Sequence, residues 1–247
     1  MAIVRATWAE RPDLQDHGLD DDDIWPEYNQ HGAVLSRYWP RLPEQFADWQ
    51  FTLYDDDTGQ VLAEGHSLPC PWDGTDEGLP QGIDEAVVAA FASGRPPGAV
   101  CALAAEVAPS ARVRGLSAAV LQHMRELAAA HGLPAVFAPV RPSWKERYPL
   151  TPIEEYVTWR REDGTLFDPW MRVHERLGAR LVRVAPRSLE IVGSVADWEG
   201  WTQMAFPASG TYVFPRGLAT VEIDRDADTG TYWEPNVWFV HTVDRAG

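Results

Sequence analysis

The sequence predicts an α/β fold, with a mixed central sheet flanked by helices and additions at the N- and C-terminal ends. Residues 99–107 form a near-continuous apolar run, which is typical of a strand buried on both faces. From Leu116 to Leu127 apolar residues recur at helical spacing, and residues 135–140 form another short apolar strand. A strand, a helix and a strand in this order indicate a βαβ unit, whose two strands are expected to be parallel.

The N-terminal half carries patterns for a hairpin and a helix. Residues 1–45 are rich in acidic residues, Pro and Trp, and favour loop and short helix. Residues 49–54 alternate as a strand, 55–59 form a turn, and Val61 begins a returning strand. Pro and Gly across 67–82 indicate a loop, and residues 83–92 indicate a helix with acidic residues in its first turn.

The C-terminal half continues the alternation. Gly132 ends the helix of the βαβ unit, and 141–167 is a long connection of the kind that is often functional. Asp168 and Pro169 have the residue types of an N-cap and a first helical position, and that helix ends at Gly178. Strands are expected at 181–184 and 188–192, and two more within 212–243.

Length and composition bound the function. We expect one domain over 1–247, with its core at 99–192, an N-terminal extension over 1–48 and C-terminal strands over 193–247. The formal net charge of −16 argues against nucleic-acid binding. It would favour a cationic substrate on approach; solubility alone is the alternative explanation of the charge. No apolar run is long enough for a membrane span, and the first residues lack the apolar core of a signal peptide. With two cysteines, both expected to be reduced, a cytoplasmic protein is predicted.

The junction between the 99–107 strand and the following helix carries the main functional signal. It reads Arg112-Val113-Arg114-Gly115-Leu116-Ser117. The first N–H groups of a helix have no intrahelical acceptor, and the helix dipole adds partial positive charge there. Gly115 lets backbone approach a ligand, and the two arginines can pair with phosphate oxygens. The junction therefore predicts an anion site suited to a pyrophosphate.

This arrangement resembles the GNAT superfamily of acyl-CoA-dependent N-acyltransferases. The family signature is Gln/Arg-x-x-Gly-x-Gly/Ala with a Pro three residues before it. The chain has Pro109, Arg112, Gly115 and, as a departure that is still small, Ser117. The family's Tyr-Glu-x-x-Gly-Phe helix is matched by residues 174–179, His-Glu-Arg-Leu-Gly-Ala. The resemblance covers about residues 99–192.

The resemblance implies how an acyl-CoA, here most simply acetyl-CoA, would bind. Backbone of Ala105, Glu106 and Val107 would pair with the pantetheine amides where the strand splays from its neighbour. The N–H groups from Val113 to Ser117, with Arg114 and Leu116 between them, would hold the pyrophosphate. A backbone N–H near Val107 would stabilise the oxyanion while an amine attacks the thioester directly in a ternary complex.

Two residues are candidates for proton transfer. His174 occupies the slot where many relatives carry Tyr, so it would protonate the leaving thiolate or relay a proton; a surface histidine is the alternative. Glu106 ends an apolar strand, where burial would raise its pKa towards that of a useful base; a solvent-facing strand end is the alternative.

Acceptor recognition is assigned to the long connection. Tyr148, Glu155, Tyr156 and Trp159 would line a pocket for a small or medium-sized amine, although aromatic residues this dense are often core or loop anchors. No Cys or His pair has the spacing of metal ligands, so no metal is expected. The pattern does not indicate an oligomeric state.

The sequence thus predicts a cytoplasmic N-acetyltransferase that moves an acetyl group from acetyl-CoA to a primary amine of a small molecule. Alternatives are a catalytically silent acyl-CoA-binding or sensing module, acetylation of a protein N-terminus, a related acyl-CoA reaction such as decarboxylation or transfer to oxygen, and a coincidental turn in a structural α/β domain.

Overall fold

A computed structural model describes residues 2–16, 19 and 24–243, without the side chains of 112–114. Over these residues nine strands join in one sheet. They are β1 (Ile3–Thr7), β2 (Gln50–Asp55), β3 (Val61–Cys70), β4 (Ala99–Val107), β5 (Ala135–Val140), β6 (Arg180–Gly193), β7 (Gly210–Tyr212), β8 (Val221–Asp224) and β9 (Thr229–Thr242).

The α-helices cover the two faces of the sheet. They are α1 (Ala33–Tyr38), α2 (Leu42–Gln45), α3 (Ile83–Ala92), α4 (Leu116–Ala130), α5 (Ile153–Tyr156), α6 (Pro169–Arg176) and α7 (Val195–Thr202). Across the described ranges, none of them combines the length and apolarity that a membrane crossing requires.

The sheet is mixed, as predicted. Its strands lie in the order β1-β2-β3-β4-β5-β9-β8-β7, and β6 pairs along the other edge of β9. Strands β4 and β5 are parallel and flank α4 in the chain, which confirms the βαβ unit, whereas the other pairs are antiparallel.

Successive apolar residues of β4 pack on opposite faces of the sheet, as expected for a strand that is buried on both faces. Cys101 packs on the side of α1 and α3, while Val100 packs with Met124 of α4 on the other side. Both Cys70 and Cys101 are buried and free, as the apolar context of Cys101 suggested.

Three predictions of secondary structure need correction. Residues 3–7 form the edge strand β1, although the acidic, proline-rich N-terminal region favoured loop and helix. Strand β3 continues to Cys70 and so includes part of the predicted loop 67–82. The segments 181–184 and 188–192 are one strand, because irregular pairing with β9 carries β6 through the intervening Pro and Arg residues.

Candidate functional site

A cavity opens where β4 and β5 separate. The two strands pair at only two register positions along their described length, Val100 with Val136 and Cys101 with Phe137. Beyond that point residues 102–107 of β4 and 138–140 of β5 line a cavity of about 480 Å³. Backbone groups between separated strands lack ladder partners on that edge, so a ligand can supply them. This splay is the geometry that the family resemblance implied for the pantetheine arm.

The start of α4 faces the same cavity. A 3₁₀ helix, Pro109–Arg114, leads into Gly115, and the N–H groups of Ala118 and Ala119 donate to its carbonyl at 3.1 and 3.2 Å. The amides of Leu116 and Ser117 precede these donors and therefore have no intrahelical acceptor. Ser117 lines the cavity. The predicted side-chain contributions of Arg112, Val113 and Arg114 lie outside the described residues.

The backbone conformation of this turn favours glycine at position 115. Its φ of +70° is a left-handed conformation that side chains rarely adopt. A Cβ built there would meet nothing within 4 Å, so the space in front of the turn is open. The turn therefore presents unpaired helix amides to open space, which is what an anion site needs.

Glu106 lies in the wall of the cavity beside Ala105 and Val107. Its Oε1 accepts a hydrogen bond from the indole Nε1 of Trp25 at 2.6 Å. Trp25 also lines the cavity, so a loop that precedes the first helices orients the carboxylate. The residues predicted as the pantetheine-binding stretch and as the base are thus together at the splay.

His174 reaches the cavity from α6 and is almost completely buried. Its Nδ1 lies 2.9 Å from Nε2 of His241 on β9, so one ring donates and the other accepts. Burial, and then the neighbouring His241, lowers the pKa of His174 well below its usual value. The surface alternative for His174 is therefore wrong. A neutral ring cannot act as an imidazolium acid at neutral pH, because that role needs the charged form.

Helix α6 is positioned by its N-cap, which the sequence predicted. Asp168 is buried and its side chain accepts from the N–H groups of Trp170 and Met171. The other carboxylate oxygen accepts from Trp144 N at 2.7 Å and from the Tyr156 hydroxyl at 2.9 Å. One carboxylate thus joins the long connection to the helix that carries His174.

The four residues predicted to bind the acceptor lie elsewhere. Tyr148, Tyr156 and Trp159 pack edge-on or tilted against one another and against Phe167, with ring centroids 4.9 to 6.2 Å apart. Neither they nor Glu155 are among the described residues that line the cavity. The aromatic residues anchor the long connection instead, so the prediction of an acceptor pocket there is corrected.

The structure adds residues that sequence reasoning missed. Glu64 and His66 of β3 lie beside Glu106, and Arg141 lines the cavity while its Nε donates to Glu234 at 3.1 Å. The available signal was a Glu and a His two positions apart in a strand, which places both on one face. The sequence does not mark where the strand that begins at Val61 ends, so this pair is not assigned to it by pattern alone.

Comparison with known proteins identifies relatives of the whole chain. No family model matches it. A protein of Aspergillus versicolor named arginine N-acetyltransferase avaD is 32% identical over an alignment 269 positions long, which spans 96% of this chain and 93% of that protein. This likeness extends well beyond the 99–192 region on which the sequence resemblance rests.

Solved structures share the fold. The loading GNATL domain of CurA from Lyngbya majuscula superimposes with a TM-score of 0.62 at 18% identity, covering 98% of this chain and 97% of that domain. The GNAT-like decarboxylase GphF, solved with isobutyryl-CoA, gives a TM-score of 0.56 at 15% identity over 99% and 100% of the two chains. At these identities the likeness is one of fold.

Proposed function

The chain belongs to the GNAT superfamily and is an N-acetyltransferase, and on that basis we propose that it transfers an acetyl group from acetyl-CoA to a primary amine of a small or medium-sized acceptor. The amine attacks the thioester directly while both substrates are bound. The separation of β4 from β5 beside the open start of α4 carries this proposal.

The cavity suits an acyl-CoA along its length. Residues 105–107 offer an unpaired strand edge to the amides of the pantetheine arm, and the amides of Leu116 and Ser117 hold the pyrophosphate. The amides of Val113 and Arg114, which the sequence also assigned to the pyrophosphate, lie within the 3₁₀ helix Pro109–Arg114, where such groups donate to the helix itself. The N–H near Val107 donates to the thioester oxygen as it gains negative charge. The separation of the strands supports this assignment, because backbone edges in a buried cleft otherwise stay unsatisfied.

The proton balance follows from the residues around the splay. A primary amine arrives as an ammonium and must lose a proton before it attacks; we assign that proton to Glu106. The C–N bond then forms and the C–S bond breaks. The second nitrogen proton goes to the departing thiolate, and the proton on Glu106 returns to solvent. His174 acts here as a neutral hydrogen-bond donor towards the sulfur, since burial opposes its charged form.

L-arginine is the first acceptor to test, because the relative from Aspergillus versicolor is named for its acetylation. The net charge of −16 also favours a cationic acceptor on approach. A peptide N-terminus remains the second class of acceptor.

A direct test incubates the purified protein with acetyl-CoA and a panel of amines that includes L-arginine. We expect release of free CoA thiol, together with an acceptor that has gained the mass of one acetyl group. Tight acetyl-CoA binding without turnover of any amine would instead assign the protein as a silent binding module. Loss of carbon dioxide from a malonyl thioester without amine acylation would assign a decarboxylase.

A further inference from the structure

A buried cluster of three polar side chains lies next to the cavity. Glu64 and Glu106 face each other across β3 and β4, and His66 lies two residues along β3 on the same face. One ligand atom from each residue lies within 4.8 Å of those of the other two. Glu64 is only 6% exposed and His66 only 3%. Such groups are costly to bury unless something compensates them.

Each of the three residues turns a lone pair towards the others. The Gln50 amide nitrogen donates to the carbonyls of Phe46 and Ser67, so its Oε1 is the atom that accepts from Nδ1 of His66 at 3.2 Å. This bond leaves Nε2 of His66 without a hydrogen, and it lies 3.9 Å from Oε2 of Glu64. Burial lowers the pKa of His66, which keeps the ring neutral.

Few hydrogen-bond donors reach the two carboxylates. Oε1 of Glu64 is buried and has no hydrogen-bond partner among the described residues. The Thr52 hydroxyl hydrogen-bonds to the Glu64 side chain, and the Trp25 indole supplies one donor to Glu106. When Glu64 is ionised, two carboxylates and an imidazole lone pair therefore meet with an excess of acceptors, which a positively charged donor would satisfy.

Because the attacking amine must give up its proton, it cannot keep neutralising this cluster through the reaction. A cationic group of the acceptor that does not react can do so. A guanidinium suits the cluster best, since it stays charged and offers five donors in one plane.

We propose that Glu64 and His66 form a subsite for a second, non-reacting cationic group of the acyl acceptor, a guanidinium or an ammonium, while Glu106 lies between this subsite and the reacting amine. The subsite rests on the proposed N-acetyltransferase function and makes a dibasic acceptor its preferred substrate class. Glu106 lines the cavity, and Glu64 and His66 lie buried behind it, outside the residues that line the cavity.

The test uses acceptor pairs that keep the primary amine and differ by one positive charge: L-arginine against L-citrulline, and 1,4-diaminobutane against butylamine. We expect the wild-type protein to prefer the dibasic member in kcat/KM by about 10- to 100-fold, the range of one charge-assisted hydrogen-bonding group. Glu64→Gln should remove most of that preference by raising KM for the dibasic member, with little change for the neutral one.

The matched control is Asp84→Asn, which removes another partly buried carboxylate, from the first turn of α3. Burial raises the pKa of Asp84 to about 6, but the residue belongs neither to the cluster of Glu64, His66 and Glu106 nor to the cavity lining. The preference should survive in this variant.

Equal kcat/KM for the members of both pairs in the wild-type protein would overturn the subsite and leave the transferase function intact. So would an equal loss for both members in Glu64→Gln, which indicates a structural role. Absence of turnover with every amine would instead overturn the proposed function. Titration of the protein with Zn²⁺ tests whether the cluster binds a metal ion instead. Zn²⁺ binding that Glu64→Gln abolishes, together with equal kcat/KM within both acceptor pairs, would reassign the cluster as a metal site.

Discussion

Replacing Glu64 with Gln should stabilise the protein at alkaline pH and change its stability little in acid. Burial, and then the charge of Glu106, raises the pKa of Glu64 from 4.5 to about 7. The folded protein thus disfavours the ionised carboxylate that the unfolded chain carries at neutral pH. Gln has nearly the same shape and no charge, and so removes this penalty.

The size of the effect follows from the two pKa values. One pKa unit corresponds to about 1.4 kcal/mol, so the change from 4.5 to about 7 amounts to about 3 kcal/mol. Between these pH values the folded state holds a proton that the unfolded state has released, so the wild-type protein loses stability as pH rises. Above about pH 7 both states are ionised at this group and its contribution becomes constant.

Urea unfolding of both proteins between about pH 5 and pH 8 measures this. The free energy of unfolding of Glu64→Gln, relative to wild type, should rise across this range by about 3 kcal/mol, or about 6–12 °C in Tm for a chain of this size. Glu162→Gln, at an exposed loop position, is the control and should stay within about 0.5 kcal/mol of wild type throughout. A difference for Glu64→Gln that is independent of pH would refute the reasoning.

Three further predictions concern the helices around the cavity. Gly115→Glu should raise KM for acetyl-CoA by about 100-fold through charge repulsion of the pyrophosphate. Gly132→Glu is the control and should not raise it, because Gly132 has nearly the same φ (+69° against +70°) and the same open space around a built Cβ. Equal effects of the two substitutions on KM would argue against the anion site. His174→Gln should lower kcat by about tenfold with little change in acetyl-CoA affinity, and equal losses in both would indicate packing alone. Asp168→Ala removes an N-cap and leaves the Trp144 N–H and the Tyr156 hydroxyl without an acceptor, so urea unfolding should show a loss of about 2–4 kcal/mol; a loss under about 0.5 kcal/mol would contradict this account.

The elements that the sequence predicts well are those with strong local signals. Strand β4, strand β5 and helix α3 have the predicted bounds, because continuous apolar runs and acidic first turns mark them. Gly132 and Asp168 mark helix ends through their own backbone or side-chain chemistry. In contrast, the edge strand β1 escapes prediction because its pairing with β2 is a long-range choice.

The candidate site likewise has one part that the sequence predicts and another part that it does not. The turn at Gly115 and the stretch 105–107 were found from one continuous segment, since their chemistry is that of backbone at a strand end and a helix start. The acceptor side was misplaced. Its aromatic candidates are close in sequence, yet they pack on one another, and the cavity is lined instead by residues such as Trp25 and Arg216 that are distant from them in the chain.

By itself, the sequence determined the βαβ unit and the turn at Gly115, and through their resemblance it indicated the family, because each depends on residues within a few positions of one another. Only the tertiary structure decided that His174 is buried against His241, that β4 and β5 separate after two paired positions, and that Glu64, His66 and Glu106 meet. Those outcomes depend on strand register and on the burial that follows from it, which no local pattern of residues specifies.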